Sequence, residues 1–374
     1  MLMVSKALVV GSYQSKLQAL ASHPDLELTL VTPPYWRDPG RVLHYEPLYT
    51  RGYLTLLKQQ RLNGRYHVHW YPGLTDLVRR FRPDLVHIDE EPADLVAWQC
   101  QRAANLAGAR SVFFTWQNIL RPVPLPFRAI QAYVFDNADV AICGNREAAR
   151  VVRAKGYRKS IALIPQFGVD ERAFSPGEGR PSRQRLRVGF AGRLVAEKGV
   201  DLLLRALPTL GRHVELVIQG TGPAEASLRR LAGELTLQDR VTFLPHRPSR
   251  EMPAFYRSVD VVALPSRTRP NWKEQWGRTA MEAMSCGVPV VVSSSGELAN
   301  VAGDAGLVVP EGDVDALSAA LLRLLDDATL RRRLGERGRE RVLRHYTQQA
   351  VAEATYGVYG RVLGRRTSPA APHD

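Results

Sequence analysis

Short apolar segments alternate with amphipathic helical segments along most of the 374-residue chain. In the first half, strands are predicted at residues 7–11, 26–32, 66–70, 84–89, 111–116, 140–144 and 161–165. In the second half, they are predicted at residues 186–192, 214–220, 241–245, 261–266, 289–294 and 306–310. Such alternation is typical of α/β folds whose parallel sheets carry helices on both faces.

Two stretches interrupt this alternation. Residues 33–53 predict a long irregular loop. The segment 168–185 holds Pro176, Gly177, Gly179 and Pro181 among mixed charges, which is typical of a linker.

The linker predicts two Rossmann-like, doubly wound domains, 1–170 and 171–346, that face each other across a cleft. Ligands of such sheets bind at the carboxyl ends of the strands, so we expect loops from both domains to line the site. A helical pattern at 347–364 is expected to pack back on the first domain. Residues 365–374 are short, polar and proline-rich, and we expect a disordered tail.

Charge and composition narrow the class of protein. The net charge of +14 suits anionic partners, although a solvated arginine-rich surface would explain it equally well. No nucleic-acid-binding motif is present, so we expect no nucleic-acid partner. No apolar run is long enough to span a bilayer and no signal peptide is recognisable. We expect a cytoplasmic protein, with peripheral contact at the anionic inner face of the plasma membrane as an open alternative.

The three cysteines are scattered at Cys100, Cys143 and Cys286. This usage suits a reducing compartment and provides neither a disulfide framework nor metal-ligand spacing. The sequence therefore predicts no metal site.

The most informative segment is residues 273–290. It predicts a loop, a helix that begins near Trp276 and ends before Gly287, and then a buried strand. Glu274 precedes the helix and Glu282 lies about two turns into it. Free backbone N–H groups and the dipole at the helix start favour an anion between the two carboxylates. A nucleotide-sugar would match this layout; two solvated glutamates on an amphipathic helix are an equally good interpretation.

A second candidate lies where the second half begins. The strand predicted at 186–192 leads into Arg193, and Lys198 precedes the next helix. Two cations at a strand end and a helix start can bind a diphosphate and neutralise the charge on a departing nucleotide. A surface Arg and Lys at a turn are the alternative.

These segments occur in the same order as in family 4 glycosyltransferases. The whole second half of the chain resembles that family. The resemblance is carried by Gly192-Arg193, Glu197-Lys198-Gly199, Gly220-Thr221-Gly222-Pro223, Leu264-Pro265-Ser266, residues 274–290 and residues 303–310. It implies the GT-B fold and a nucleotide-diphosphate-sugar donor, with no metal and no cofactor. It also implies transfer with retention to a hydroxyl of a glycan or glycolipid acceptor.

The resemblance also assigns roles in the second domain. Arg193 and Lys198 would hold the donor diphosphate. Glu274 would contact donor-sugar hydroxyls as a positioning and stabilising group, so these three residues form the expected catalytic set. Glu282 would bind the ribose.

Backbone groups would complete the donor site. The resemblance places those of Gly277, Arg278 and Thr279 at phosphate or sugar. Family members usually carry a Gly-Gly pair in the first strand–helix loop; this chain has Gly11 followed by Ser12, whose backbone would approach the diphosphate.

The acceptor side departs further from the family. Gln117 stands where many members place a histidine, and a neutral amide can hydrogen-bond a sugar hydroxyl but cannot accept a proton at neutral pH. Asp89 and Glu90 follow a predicted strand and are candidates to meet the acceptor hydroxyl. An acidic helix N-terminus is the alternative interpretation of that pair.

Two other functions remain open from the sequence. One is a nucleotide-sugar epimerase of the GT-B fold, although we find no histidine-rich set for its acid–base chemistry. The other is a non-catalytic nucleotide-sugar-binding protein, since the Gly-Gly pair and the histidine are both missing.

Overall fold

The computed structural model describes residues 1–177 and 184–364. Gly179 and Pro181 of the predicted linker, and the predicted tail 365–374, lie outside the described residues. The chain divides into two compact units. One comprises Met1–Gly168 together with the segment from Gln348 onward, and the other comprises Val169–Thr347.

The first unit is built around a seven-stranded sheet. The sheet contains β1 (Leu2–Val4), β2 (Thr29–Thr32), β5 (Leu54–Leu57), β6 (Leu85–Ile88), β7 (Arg110–Thr115), β8 (Val140–Cys143) and β9 (Ser160–Leu163). Two further strands of the unit, β3 (Tyr35–Asp38) and β4 (Arg41–His44), lie outside it. The helices between them are α1 (Ser15–Leu20), α2 (Leu74–Phe81), α3 (Leu95–Ala107), α4 (Phe127–Asn137) and α5 (Arg146–Ala154). The sheet order is β5-β2-β1-β6-β7-β8-β9, all parallel, and β3 and β4 form a separate hairpin.

The second unit contains a six-stranded parallel sheet. Its strands are β10 (Leu186–Ala191), β11 (Val214–Gln219), β12 (Val241–Leu244), β13 (Val261–Leu264), β14 (Val290–Ser293) and β15 (Gly306–Val309). Its helices are α6 (Val200–Ala206), α7 (Glu225–Glu234), α8 (Met252–Arg257), α9 (Arg278–Ser285), α10 (Leu298–Ala302), α11 (Val314–Asp326) and α12 (Ala328–His345). The order β12-β11-β10-β13-β14-β15 is that of a doubly wound sheet.

The last helix, α13 (Gln348–Val362), belongs to the first unit and packs against α1. Its buried face includes Val351, Val358 and Tyr359. The Tyr359 hydroxyl lies 2.6 Å from His87 Nδ1 on β6, which joins the helix to the sheet. The prediction that the C-terminal helix packs back on the first domain is confirmed.

Alternation along the strands of the first unit produces two cores. Leu2 and Val4 of β1 contribute to the core on the face covered by α2, α3, α4 and α5. Met3, between them, contributes to the core on the face covered by α1 and α13. Successive side chains of a strand point to opposite faces, so each strand serves both cores. The sheet is therefore buried on both sides, as predicted for a parallel sheet.

In each unit the strand order reverses at one place. In the first unit this is between β1 and β6, and in the second it is between β10 and β13. Connections on either side of such a point leave in opposite directions and open a crevice at the carboxyl ends of the two strands. These two switch points are where a ligand of each sheet would bind.

The predicted strand at residues 7–11 is wrong. Ala7–Val9 and Gly11–Tyr13 form short 3₁₀ turns, and the strand is β1, which pairs with β2 and β6. Leu8 and Val9 are buried all the same. A short apolar run is buried equally well in a turn of helix as in a strand, so apolarity alone does not separate the two.

The predicted strand at residues 66–70 is also wrong. The segment folds into turns in which the carbonyl of Tyr66 lies 2.8 Å from His69 Nδ1. Only an isolated bridge between Arg61 and Trp70 resembles strand pairing among the residues described there.

The predicted irregular loop at residues 33–53 contains the antiparallel hairpin β3–β4. Pro39 and Gly40 form its turn, and Gly40 adopts a φ of +80°, which glycine tolerates without strain. A Pro-Gly pair between two polar segments is a turn signal that sequence reasoning could have used.

Candidate functional site

Glycines bring three loops together at the switch point of the second unit. A Cβ on Gly220 would lie 2.0 Å from the carbonyl oxygen of Gly192, and one on Gly222 would lie 2.3 Å from that of Leu194. Both distances are shorter than any real contact, so the turn after β11 can pack against the end of β10 only because these residues are glycine.

The turn that carries Lys198 also needs a glycine. Gly199 has a φ of +68°, and a Cβ there would lie 2.1 Å from the carbonyl oxygen of Pro265. The turn therefore lies directly against the loop that follows β13. This loop carries Glu274, so the backbone places two sequence-predicted site residues on neighbouring segments.

Lys198 and Glu274 are in direct contact. Lys198 Nζ donates to Glu274 Oε2 at 2.6 Å, and Ser266 Oγ donates to the same oxygen at 3.0 Å. The Lys198 ammonium also lies 5.1 Å from the centroid of the Trp272 ring. The Lys198 and Glu274 side chains remain 23% and 14% exposed.

This pair is suited to an anionic, hydroxyl-rich ligand. A lysine ammonium carries three donors, so Lys198 can bind an oxyanion while it holds Glu274. The carboxylate can accept hydrogen bonds from hydroxyl groups. Partial exposure leaves both groups accessible.

Glu282 lies in a more enclosed position on α9. Arg278 Nε donates to Glu282 Oε1 at 2.7 Å, and the Tyr256 hydroxyl donates to Oε2 at 2.7 Å. Burial raises the pKa of Tyr256 well above its usual value, and the Glu282 charge raises it further. Tyr256 therefore stays protonated and donates a hydrogen bond to one oxygen of the Glu282 carboxylate.

The start of α9 is shaped by Gly277. Its φ of +66° lies in the left-handed region, and as a glycine it has no side chain with which to cap the helix. The Thr279 hydroxyl is bonded to the Ala191 carbonyl at the end of β10, at 3.3 Å. The helix start is thus tied to the strand that precedes Arg193.

Arg193 is exposed at the same switch point. Its side chain makes no hydrogen bond or ion pair with any residue in the described part of the chain. A guanidinium without internal partners is available to an external anion. Four side chains were predicted to bind the sugar donor. In the structure Lys198 contacts Glu274, Glu282 is bonded to Arg278 and Tyr256, and Arg193 has no partner within the described chain.

At the switch point of the first unit, the predicted acceptor-side carboxylates are buried and bonded to residues of the same unit. Asp89 is buried, accepts from Ser5 Oγ at 2.6 Å and accepts from Gln166 Nε2 at 3.0 Å on each oxygen. Burial raises the pKa of Asp89, although the nearby Lys16 ammonium opposes this. The same burial lowers the pKa of Lys16 to about 8.

Glu90 is also buried and fully engaged. It accepts from both the backbone N–H and the ammonium of Lys6, and His69 Nε2 lies 3.7 Å away. Burial alone would raise the pKa of Glu90, but Lys6 and His69 lower it to about 2. Asp89 and Glu90 therefore lie inside the first unit, where these contacts occupy the carboxylates; their acceptor role stays a prediction.

Gly11 faces a neighbouring loop. Its N–H donates to Glu46 Oε2 at 3.3 Å, and a Cβ would lie 2.5 Å from Leu48 Cγ. Gln14 fixes that loop by donating to the Glu46 carbonyl at 2.8 Å. The Ser12 carbonyl accepts from Ser15 Oγ at 3.4 Å. Contact of Gly11 and Ser12 with a diphosphate stays a prediction.

Gln117 follows β7 and is partly exposed. Lys155 Nζ donates to Gln117 Oε1 at 2.6 Å. The backbone before Gln117 is held by Glu91, which accepts from Thr115 Oγ1 at 2.6 Å and from Trp116 N at 2.8 Å. Burial raises the pKa of Glu91 to about 7.

Sequence reasoning assigned no role to Ser266, Tyr256, Glu91 or Lys155. Ser266 belongs to the Leu-Pro-Ser motif that supported the resemblance, and its position after a buried strand was a usable signal. The other three are separated in sequence from the residues they contact, and no local pattern indicates those contacts.

The structure offers no candidate metal centre among residues 1–177 and 184–364, since no cluster of three or more His, Cys, Asp and Glu side chains is arranged for one. Within the same residues, no helix has the length and apolarity to cross a bilayer.

Two family models match the chain. The model described as "Glycosyl transferases group 1" matches residues 172–341, and the one described as "Glycosyl transferase 4-like domain" matches residues 11–166. The first match covers almost all of the second unit, and the second covers most of the sheet of the first unit.

Curated relatives extend this similarity. The chain is 36% identical over 220 residues to a GDP-mannose-dependent α-(1-6)-phosphatidylinositol monomannoside mannosyltransferase of Mycolicibacterium smegmatis, covering 54% of this chain and 57% of the relative. It is 34% identical over 270 residues to a D-inositol 3-phosphate glycosyltransferase of Stackebrandtia nassauensis, covering 65% and 59%. The alignments thus span less than two thirds of these relatives' length.

Solved structures show the same fold at low identity. A glycosyltransferase from Rickettsia africae matches with a TM-score of 0.75 and 15% identity over 98% of each chain. Sucrose-phosphate synthase from Thermosynechococcus elongatus matches with a TM-score of 0.68 and 21% identity, over 97% of this chain and 98% of the other. These structures show the GT-B fold, and the two family-model matches show that the chain belongs to the group 1 glycosyltransferases, glycosyltransferase family 4.

Proposed function

We propose that the chain transfers a sugar, with retention and without a metal ion, from a nucleotide-diphosphate donor to a hydroxyl group of a glycan or glycolipid acceptor. The observation that carries this proposal is the contact of Lys198 with Glu274 at the switch point between β10 and β13. This contact supports the proposal because an ammonium suits a diphosphate and an adjacent carboxylate suits sugar hydroxyl groups, the two parts of a nucleotide-sugar.

The proposed roles follow from chemistry and exposure. Arg193 and Lys198 bind the diphosphate and stabilise the negative charge that develops on the leaving group. Glu274 orients the sugar through its hydroxyl groups. Glu282, held by Tyr256 and Arg278, accepts hydrogen bonds from the ribose.

In the proposed reaction the bond between the anomeric carbon and the diphosphate oxygen breaks. A bond from the same carbon to the acceptor oxygen forms on the same face, and the acceptor proton passes to the departing phosphate. Glu274 serves here as an electrostatic and positioning group, so the two-carboxylate scheme of glycoside hydrolysis does not apply.

The names of the relatives suggest where to begin with substrates. GDP-mannose is the first donor to test, because one relative is named as dependent on it. Acceptors that carry a phosphorylated inositol come next, because both relatives' names contain one. The net charge of +14 supports an anionic acceptor and peripheral contact with an anionic membrane surface, at the cytoplasmic face.

Incubation of the full chain with a panel of nucleotide-sugars, with and without acceptor and with a chelator present, tests the proposal. Transfer with release of nucleoside diphosphate and an unchanged anomeric configuration is expected. Conversion to an isomeric nucleotide-sugar would instead support an epimerase. Tight binding with neither product would support the non-catalytic alternative.

A further inference from the structure

The amide of Gln117 has one defined orientation. Lys155 Nζ lies 2.6 Å from one of its terminal atoms, and an ammonium can only donate, so that atom must be the carbonyl oxygen Oε1. The Gln117 Nε2 group therefore lies on the other side. It makes no hydrogen bond with the rest of the described chain, so two N–H donors remain for a ligand.

The position of Gln117 is fixed by its neighbours. Its backbone N–H donates to Thr115 Oγ1 at 3.1 Å, and that hydroxyl in turn donates to Glu91. Glu91 also accepts from the Trp116 N–H. Both residues before Gln117 are thus held by one carboxylate, which makes Glu91 a positioning residue for the amide.

Lys155 and Gln117 offer more donors than acceptors, and Lys155 adds a positive charge. With one lone pair of Gln117 Oε1 bonded to Lys155, the remaining N–H bonds of the ammonium and of the amide outnumber the one lone pair left on Oε1. A sugar hydroxyl presents both a donor and acceptor lone pairs, whereas a phosphoryl oxygen presents only acceptors. The pair therefore matches a phosphoryl group better than a hydroxyl group.

We propose that Lys155 and Gln117 form a subsite for a phosphoryl group of the acceptor, a phosphate monoester or diester attached to a polyol. This inference rests on the proposed function, because it treats the ligand as the acceptor. It gives Gln117 a role different from that of a histidine base, because the amide binds the acceptor and moves no proton.

A local binding measurement tests the subsite. Methyl phosphate is titrated into the full chain, and the side-chain amide cross-peaks of Gln117, assigned by their absence in Gln117→Ala, are followed by ¹⁵N–¹H NMR. We expect these peaks to shift and saturate. Lys155→Met should weaken this binding at least tenfold.

A matched set of variants separates the subsite from general charge. Gln117→Glu keeps an oxygen for Lys155 but replaces the free amide donors with a negatively charged oxygen, so it should also weaken methyl phosphate binding at least tenfold. Arg158→Met removes an exposed cation three residues from Lys155 and should leave the affinity within twofold. No shift of the Gln117 peaks, or a methyl phosphate affinity of Lys155→Met and of Gln117→Glu equal to that of the unaltered chain, would overturn the subsite.

Two further measurements identify the compound that carries the phosphoryl group and distinguish a failure of the subsite from a failure of the proposed function. Inositol 3-phosphate represents a free phosphate monoester, and a short-chain phosphatidylinositol represents a lipid headgroup. The compound that displaces methyl phosphate from the chain at the lower concentration identifies the class of acceptor. Nucleoside diphosphate binding is measured on the same samples. Its absence in the unaltered chain contradicts the proposed function, whereas its presence with a failed phosphate arm contradicts the subsite alone.

Discussion

The two switch points have the same topology, but their carboxylates differ in exposure to solvent. Between β1 and β6, the carboxylates Asp89 and Glu90 are buried and engaged by Ser5, Gln166 and Lys6. Between β10 and β13, Glu274 remains partly exposed beside Lys198. Both places satisfy the rule for ligand sites in open α/β sheets, yet the carboxylates of the first are buried, whereas that of the second is partly exposed.

The difference shows that a carboxylate at a strand end can have either of two functions. The buried Glu90 neutralises the largely buried ammonium of Lys6, and its low pKa reflects that internal partner. The Lys198 ammonium that contacts Glu274 is partly exposed to solvent, so an external anion can also bind to it. The predictions below test this contrast.

The largest effect is expected from Glu90→Ala. Removal of this carboxylate leaves the Lys6 ammonium without its partner, and the loss should be about 3–5 kcal/mol in the free energy of unfolding. Denaturant unfolding measures it, with the exposed Asp76→Ala as control, expected within about 0.5 kcal/mol. Because the folded pKa is lowered from 4.5 to about 2, the Glu90 contribution should be present above pH 4.5 and be lost as the pH falls toward 2.

Glu274→Ala should have the opposite character. We expect stability to change little and turnover to fall roughly 10²–10³-fold, the typical effect of removing one electrostatic stabiliser. Nucleoside diphosphate affinity should survive, because Glu274 is proposed to contact the sugar. Steady-state kinetics measures the loss, with Glu234→Ala on the exposed side of α7 as control. Unchanged turnover would remove Glu274 from the site.

Lys198→Ala sharpens the contrast on the cation side. Loss of a charged hydrogen bond to phosphate should weaken nucleoside diphosphate binding by about 1.5–3 kcal/mol. Binding of the bare nucleoside should not change. Calorimetric titration compares the two ligands, and the exposed Arg205→Ala serves as control. An equal loss for both ligands would contradict a phosphate role.

The smallest effect is expected at Glu91. Its folded pKa is raised from 4.5 to about 7 by burial, so its favourable contribution is complete below pH 4.5 and is lost as the pH rises through 7. Glu91→Gln should therefore be more stable than the unaltered chain at pH 8, by about 1–2 kcal/mol, and gain less at pH 5. Thermal unfolding at the two pH values measures this, and an equal gain at both would contradict a buried ionised Glu91.

Much of the second unit could be predicted from sequence because its signals are local. Gly199, Gly220 and Gly222 each occupy a turn in which a Cβ would clash with a carbonyl oxygen, and the buried strands around them are short and apolar. The contact of Lys198 with Glu274 was foreseeable because both residues follow strands on either side of a switch point.

The first unit was less predictable because its determining contacts are distant in sequence. Lys6 and Glu90 are 84 residues apart, and nothing near either residue indicates that the other is buried beside it. Lys155 and Gln117 are 38 residues apart. The strand expected at residues 7–11 failed because a buried apolar run does not specify its backbone conformation.

The central claim is that Arg193 and Lys198 bind the diphosphate of the donor. Thermal unfolding of the unaltered chain and of the double variant Arg193→Ala/Lys198→Ala, each with uridine, guanosine and adenosine diphosphates, tests it most directly. We predict that at least one diphosphate raises the unfolding temperature of the unaltered chain and that none raises that of the double variant. No stabilisation of the unaltered chain, or equal stabilisation of both proteins, would contradict the claim.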